Sequence, residues 1–134
     1  MKALSFLLFF SILLPGCGSL KQSDMIYYTD QNNNRFTISK TEVIYKAIQP
    51  VESSSGIYSG GTDKQVKVSP ADFELLKKLA FEMIEDEKYH ANKREMMTSV
   101  ISIQITGENK KVMLYPSPQR DTFEKALRKK AGLD

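Results

Sequence analysis

The apolar positions of this chain change period several times, and each change marks an element. Ala3 to Leu14 is an unbroken, uncharged apolar run of twelve residues, stopped by Pro15 and Gly16. From Met25 onward the apolar residues become intermittent. Met25-Ile26-Tyr27-Tyr28-Thr29 and Arg35-Phe36-Thr37-Ile38-Ser39 are β-prone, and the turn formers Asp30-Gln31-Asn32-Asn33-Asn34 between them predict a hairpin. Thr41 to Gln49 continues extended, with Val43, Tyr45 and Ala47 on one face and Ile44, Lys46 and Ile48 on the other. Pro50 to Gly56 reads as a polar loop. Ile57-Tyr58-Ser59 and Thr62 to Val68, joined through Gly60-Gly61, predict a second hairpin, because a glycine pair supplies the positive φ of a tight turn.

The period then lengthens. Ser69 can cap a helix whose first residue is Pro70, and Asp72 three positions after the cap suits the positive end of the helix dipole. Phe73, Leu76, Ala80 and Met83 form an apolar stripe, so this helix is expected to run to about Lys88. Thr98 to Thr106 alternates again, with Ile101, Ile103 and Ile105 on one face. Gly107-Glu108-Asn109-Lys110 turns into Lys111 to Tyr115, and Pro116 to Pro118 closes that hairpin. Asp121-Thr122-Phe123-Glu124 has the form of a capping box and opens a last helix, with Phe123 and Leu127 inward and Gly132 as its stop. Strands, helix, two strands and helix in that order predict an α+β fold, an antiparallel sheet with two helices packed on one face, as a single domain over residues 25–134.

The front of the chain carries an address. Lys2 precedes the apolar run, which is too short for a bilayer span of about 17–25 residues and has the length of a signal peptide. The run ends in Leu14-Pro15-Gly16-Cys17, which resembles the lipobox of bacterial lipoproteins, with Pro15 where Ala, Ser or Thr is usual. The resemblance implies cleavage between Gly16 and Cys17, a diacylglycerol on the Cys17 sulfur and acylation, as by palmitate, of the new amino group. It also accounts for the single cysteine, since an exported chain with one free thiol carries a reactive liability unless that thiol is consumed. Two or three acyl chains anchor stably where one holds marginally. Residues 1–16 are then a signal peptide and 17–24 a lipidated tether. Gly18 stands where an Asp would resemble an inner-membrane retention signal, which favours the outer membrane in a Gram-negative cell.

Composition narrows the chemistry further. Among 134 residues, 41% are apolar and 26% charged, and the net charge is +3. Removing residues 1–16 leaves 18 basic against 16 acidic residues, far from the dense basic footprint of a nucleic-acid binder, so no nucleic-acid partner is expected. One Cys and one His leave no thiolate cluster and no multi-histidine metal site, and no metal or cofactor is expected. Asp30 to Asn34 matches the first ligand places of a calcium loop, but Arg35 and Thr41 stand where Gly and Glu are required, so a plain turn accounts for it. His90 could share a helix face with Asp86 and Glu87, and a solvated helix end explains the same residues more simply. Met96-Met97 is either core filling or an adaptable contact patch.

Two surfaces remain as binding candidates. The segment Pro50 to Asp63 combines hydroxyls, glycines and one aromatic ring, a composition like that of adaptable recognition loops, and places Tyr58, Ser59, Gly60 and Gly61 as candidate binding residues. Its competitor is the basic stretch Arg120, Lys125, Arg128, Lys129 and Lys130, which could rest on anionic lipid. The expected function is a lipid-anchored envelope lipoprotein with a small non-enzymatic domain that binds an envelope protein or polymer. The alternative is an inhibitor: the expected glycine hairpin, helix, strand pair and helix over residues 53–131 resemble small proteinaceous inhibitors of thermolysin-like metalloproteases.

Overall fold

The computed structural model describes residues 23–133, so the signal-peptide and lipobox readings, Cys17 included, lie outside the described residues. The strands are β1 (Met25–Thr29), β2 (Arg35–Ile38), β3 (Glu42–Lys46), β4 (Lys64–Lys67), β5 (His90–Ala91), β6 (Ser99–Ile105) and β7 (Glu108–Leu114). The helices are α1 (Pro70–Glu85) and α2 (Pro118–Lys130). All strand pairs are antiparallel and form one sheet in the order β4-β3-β2-β1-β6-β7-β5. The α+β fold expected from the periodicity is the fold observed.

Alternation along each strand decides what the sheet buries. Ile26 and Tyr28 pair in register with Ile38 and Phe36 on one side and with Ile103 and Ile101 on the other, so all six side chains share a face. Val43, Tyr45 and Leu114 join them, and Phe73, Leu76, Ala80 and Met83 of α1 with Phe123 and Leu127 of α2 close the core from above. Each such side chain contributes about 1.5–3 kcal/mol by leaving water. The two helices run across the strands in opposite directions. Along α1 the Phe81 ring comes to lie 5.6 Å from the Lys110 ammonium on β7. The end of α2 returns to the β4 edge, where Lys64 donates to the Gly132 carbonyl and Lys130 pairs with Asp72. Lysines at both ends of β4 and at Lys110 and Lys111 of β7 keep the sheet edges from pairing with other chains.

Several elements differ from the periodicity reading. The turn expected over 107–110 is tighter, with β7 paired to β6 from Glu108 onward, and the short β5 was not expected. The hairpin over 57–68 does not form: β4 pairs with β3, Val66 opposite Val43, while 57–63 stays irregular. Pairing with β3 extends the covered sheet, whereas a strand at Ile57 would gain nothing, since Ile57 is 84% exposed. Helix α1 stops at Glu85 rather than near Lys88, because the chain turns through Glu87–Tyr89 to align His90–Ala91 with β7, and a His90 ring nitrogen hydrogen-bonds the Ile84 carbonyl at 2.9 Å. Helix α2 starts at Pro118, before the supposed box at Asp121. Its cap is Ser117, whose hydroxyl accepts from the Arg120 N–H at 3.1 Å, the same Ser-Pro device that opens α1 at Ser69-Pro70.

Antiparallel pairing gives the sheet two ends. One holds the start of β1 and the β2–β3 and β6–β7 turns; the other holds the Asp30–Asn34 turn, the long 47–63 loop, the 92–98 loop and the start of α2. The chain enters at the first end, where Asp24 is clasped: its carboxylate accepts from the Thr106 N–H at 3.1 Å and pairs with Lys40 at 2.8 Å.

Replacing either cap, Ser69→Ala or Ser117→Ala, is expected to lower stability by about 0.5–2 kcal/mol, read as a shift of the urea midpoint. The acid limb has a named contributor as well. Lys130 first, then the Ser69 backbone and hydroxyl, hold the Asp72 carboxyl down at about 2 from 3.8. A depressed carboxyl stabilises the fold above its unfolded value and loses that contribution as pH falls through the folded one. Asp72→Asn should therefore flatten the fall of stability between about pH 4 and pH 2, measured by thermal unfolding across that range.

Candidate functional site

The end of the sheet opposite the chain's entry is built on one turn. Asp30 Oδ1 accepts from the backbone N–H groups of Asn32 at 2.8 Å and Asn34 at 2.9 Å, and its Oδ2 accepts from Asn34 Nδ2 at 2.9 Å. Both carboxylate oxygens are thereby engaged within the turn itself. Asn33 sits at φ 67°, a conformation that Asn tolerates better than most residues. Asn34 is buried and stitches the turn to the long loop: its Oδ1 accepts from the Ile48 N–H at 3.0 Å and its Nδ2 donates to the Tyr58 hydroxyl at 3.3 Å. The Tyr45 hydroxyl, kept protonated by burial first and by nearby Asp30 next, donates to the Gly60 carbonyl at 2.6 Å.

Two arginines hold the rest of this end together. Arg120 is 2% exposed, and a buried guanidinium is tolerable only when its donors are satisfied. Its Nε donates to Glu124 Oε1 at 2.9 Å, Nη1 to the Met97 carbonyl at 2.6 Å and the Leu114 carbonyl at 3.4 Å, and Nη2 to Gln31 Oε1 at 3.2 Å. Burial lowers the Arg120 pKa, but the Glu124 hydrogen bond and the Glu124 charge outweigh it and leave it raised. The Tyr28 hydroxyl donates to the same Glu124 oxygen; burial, then Glu124, push its pKa up, so it stays protonated. Arg94 spans the gap on the other side, donating from Nη1 to the Thr98 carbonyl and from Nη2 to the Asp30 carbonyl at 2.7 Å and Asn33 Oδ1 at 2.8 Å.

These contacts fix three loops while leaving apolar side chains outside. Met97 has φ 68°, uncommon for a long side chain, and is 49% exposed; the Arg120 bond to its carbonyl holds that backbone in place. Met96 is 90% exposed, Val51 90%, Ile57 84% and Tyr58 38%, and all belong to this end of the molecule. Two clefts flank the Gln31–Asn33 turn. One of about 300 Å³ is bordered by Ile48, Ser53, Ser54, Ser55 and Tyr58, and the other, of about 370 Å³, by Ser54, Arg94, Glu95, Met96 and Met97. Nearby charges are largely cancelled within the protein, through Arg35–Glu52, Lys46–Asp63 and Lys93–Glu95.

Of the loop residues singled out from the sequence, Tyr58 borders a cleft. Ser59 closes a local turn, its Oγ accepting from the Gly61 N–H at 3.1 Å, and Gly61 supplies the positive φ, 94°. Gly60 faces inward, where an added Cβ would lie 1.9 Å from Asn34 Oδ1. The basic stretch divides: Arg120 is core, Lys130 pairs with Asp72, and Arg128 donates to the Leu133 carbonyl at 3.1 Å at the helix end. His90 lies on β5 and not on a helix face with Asp86 and Glu87; among the described residues no three His, Cys, Asp or Glu side chains are grouped to hold a metal. Gln31, Asn33, Arg94 and the two methionines were not assigned to the site from the sequence. Only the i, i+4 spacing of Arg120 and Glu124 hinted at an ion pair.

Arg120→Met should cost about 3–5 kcal/mol, because it leaves Glu124 without its counter-charge and Gln31 Oε1 and the Met97 and Leu114 carbonyls without their donor, whereas adding Glu124→Leu should recover only the part due to the unpaired carboxylate; urea unfolding of both variants checks this. Gly60→Ala should displace Asn34 and destabilise by about 1–3 kcal/mol, visible as altered amide resonances over 30–34 and 47–63. No family model, curated protein or solved structure matches the chain.

Proposed function

We propose that this is a cell-envelope lipoprotein, anchored through lipid on Cys17, whose non-enzymatic domain recognises a partner protein with the loop end opposite the anchor. The observation that carries the reading is the position of Val51, Ile57, Tyr58, Met96 and Met97. Large apolar side chains held in solvent on pinned loops suit a partner better than a core. The Asp24 clasp supports the orientation, since it holds the first described residues at the end of the sheet opposite these loops. The pairing of Arg35, Lys46 and Lys93 within the protein leaves Arg94 as a lone cation among these loops, too little positive charge for anionic lipid, and so favours a protein contact. No helix among the described residues is long and apolar enough to cross a membrane; the anchor is read from the lipobox alone. The inhibitor alternative drew on a hairpin over 57–68 that the chain does not make, and no observation favours it.

Two experiments test the reading. Cys17→Ser should accumulate an uncleaved precursor while the domain folds unchanged; a variant processed and lipidated like the wild type would remove the anchor. In cross-linking pulldowns from envelopes, Tyr58→Ala with Met96→Ser should lose a partner that Arg128→Ala retains, at low and high salt alike. Salt-sensitive loss on Arg128→Ala alone would transfer the contact to the basic helix, and recovery of a glycan in place of a protein would make the partner an envelope polymer.

A further inference from the structure

The cleft of about 370 Å³ between the Asp30–Asn34 turn and the 92–98 loop has more donors than the protein uses. A guanidinium carries five N–H groups. Those of Arg94 that find acceptors go to the Thr98 and Asp30 carbonyls and to Asn33 Oδ1, which leaves the Nε proton and one Nη1 proton without an acceptor among the described residues. No carboxylate lies within 4.0 Å of Arg94 among the described residues, in contrast to Arg35 and Arg120. Burial, its largest influence, lowers the Arg94 pKa, and the Asp30 charge offsets the partial loss of water around this cation only in part.

The amides beside it are oriented by the same arginines. An arginine only donates, so the atom of Gln31 that meets Arg120 and the atom of Asn33 that meets Arg94 must be carbonyl oxygens. Their NH₂ groups are then the ends left to the cleft, joined by Asn32 and Ser54 on its border. The acid on the same border, Glu95, is engaged elsewhere, by Lys93 at 3.4 Å and by the Tyr115 hydroxyl at 3.1 Å. The opposite wall is Met96 and Met97, flexible apolar side chains that adapt to varied shapes.

We propose that this cleft receives the C-terminal carboxylate of a partner polypeptide, with Arg94 as its counter-charge and Met96 against the last side chain. The inference rests on the loop end being the recognition surface and names the group recognised there. One guanidinium with amide donors matches a single carboxylate, and the absence of a second cation from the cleft's border argues against a phosphate dianion. A chain terminus carries its carboxylate and its side chain on one carbon, so a single residue engages both the donor wall and the methionine wall. Terminal carboxylate capture by converging N–H donors is a recurring mode of peptide recognition.

The test is an NMR titration of the folded domain, residues 23–134, compared with the full lipidated chain, using N-acetyl-leucine, N-acetyl-leucinamide and N-acetylglycine up to about 20 mM. N-acetyl-leucine should shift the side-chain amides of Gln31 and Asn33 and the backbone of 94–98, with affinity about tenfold above that of either comparator. Arg94→Lys, which keeps the charge but loses the fork, should weaken it about tenfold. Met96→Ser, at an exposed position, should abolish the preference for leucine over glycine while leaving the unliganded spectrum intact. Equal response to acid and amide, shifts confined to other surfaces, or no response would overturn the proposal. If carboxylate preference is absent but the Tyr58 and Met96 substitutions still lose the partner in pulldowns, this inference falls and the loop reading stands; if the carboxylate binds but those substitutions retain the partner, the loop reading falls instead.

Discussion

The burial of Arg120 is the constraint on which this end of the molecule depends. A guanidinium 2% exposed cannot stand without acceptors, and the chain supplies them from four separate places: Glu124 one turn along α2, Gln31 in the first hairpin, Leu114 at the end of β7 and Met97 in the loop before β6. Each acceptor is needed because leaving a buried charge unpaired costs more than the pair itself returns. Satisfying one side chain therefore sets the relative positions of α2, the sheet and two loops. Tyr28 adds a hydroxyl to the same carboxylate oxygen and stays protonated because burial and Glu124 both oppose its ionisation.

Division of labour between the two ends of the sheet follows from topology. Every strand pair is antiparallel, so turns gather at one end or the other, and the order of connections puts short turns where the chain enters and long loops where α2 begins. The short-turn end is closed by Asp24, Lys40 and Thr106. At the long-loop end, Asn34, Arg94 and Arg120 tie backbone to backbone, which frees the side chains of Val51, Ile57 and Met96 from any packing duty. Loops held this way have little conformational freedom left to lose, which is the physical meaning of preorganisation.

Much of the architecture was legible from period alone. Alternation at Ile101 and Ile103 and the helical stripe Phe73-Leu76-Ala80-Met83 identify their elements because a half-buried element must place its apolar residues on one side. Capping was legible at Ser69 and overlooked at Ser117, where the same Ser-Pro pair sat behind a stronger-looking Asp-x-x-Glu pattern. Gly60-Gly61 misled for a physical reason. A glycine pair permits a tight turn, but it equally permits close approach, and Gly60 is used for approach to Asn34 and Tyr45.

What the sequence determined by itself is local: the hydrophobic periods, the caps and the turn at Asp30, all set by interactions within a few residues. Tertiary structure alone decided which strand β4 joins, that Arg120 is buried, and that Met96 and Met97 face solvent. Composition treats Arg120 as one of five basic residues in a C-terminal stretch, and leaves Met96-Met97 open between core filling and a contact patch. Their fates are settled because an arginine with four acceptors converging from distant parts of the chain is better satisfied inside, and those acceptors hold the methionine backbone at the surface. Acceptors separated by up to 89 positions in sequence leave no periodic trace, and only the folded chain brings them to one guanidinium.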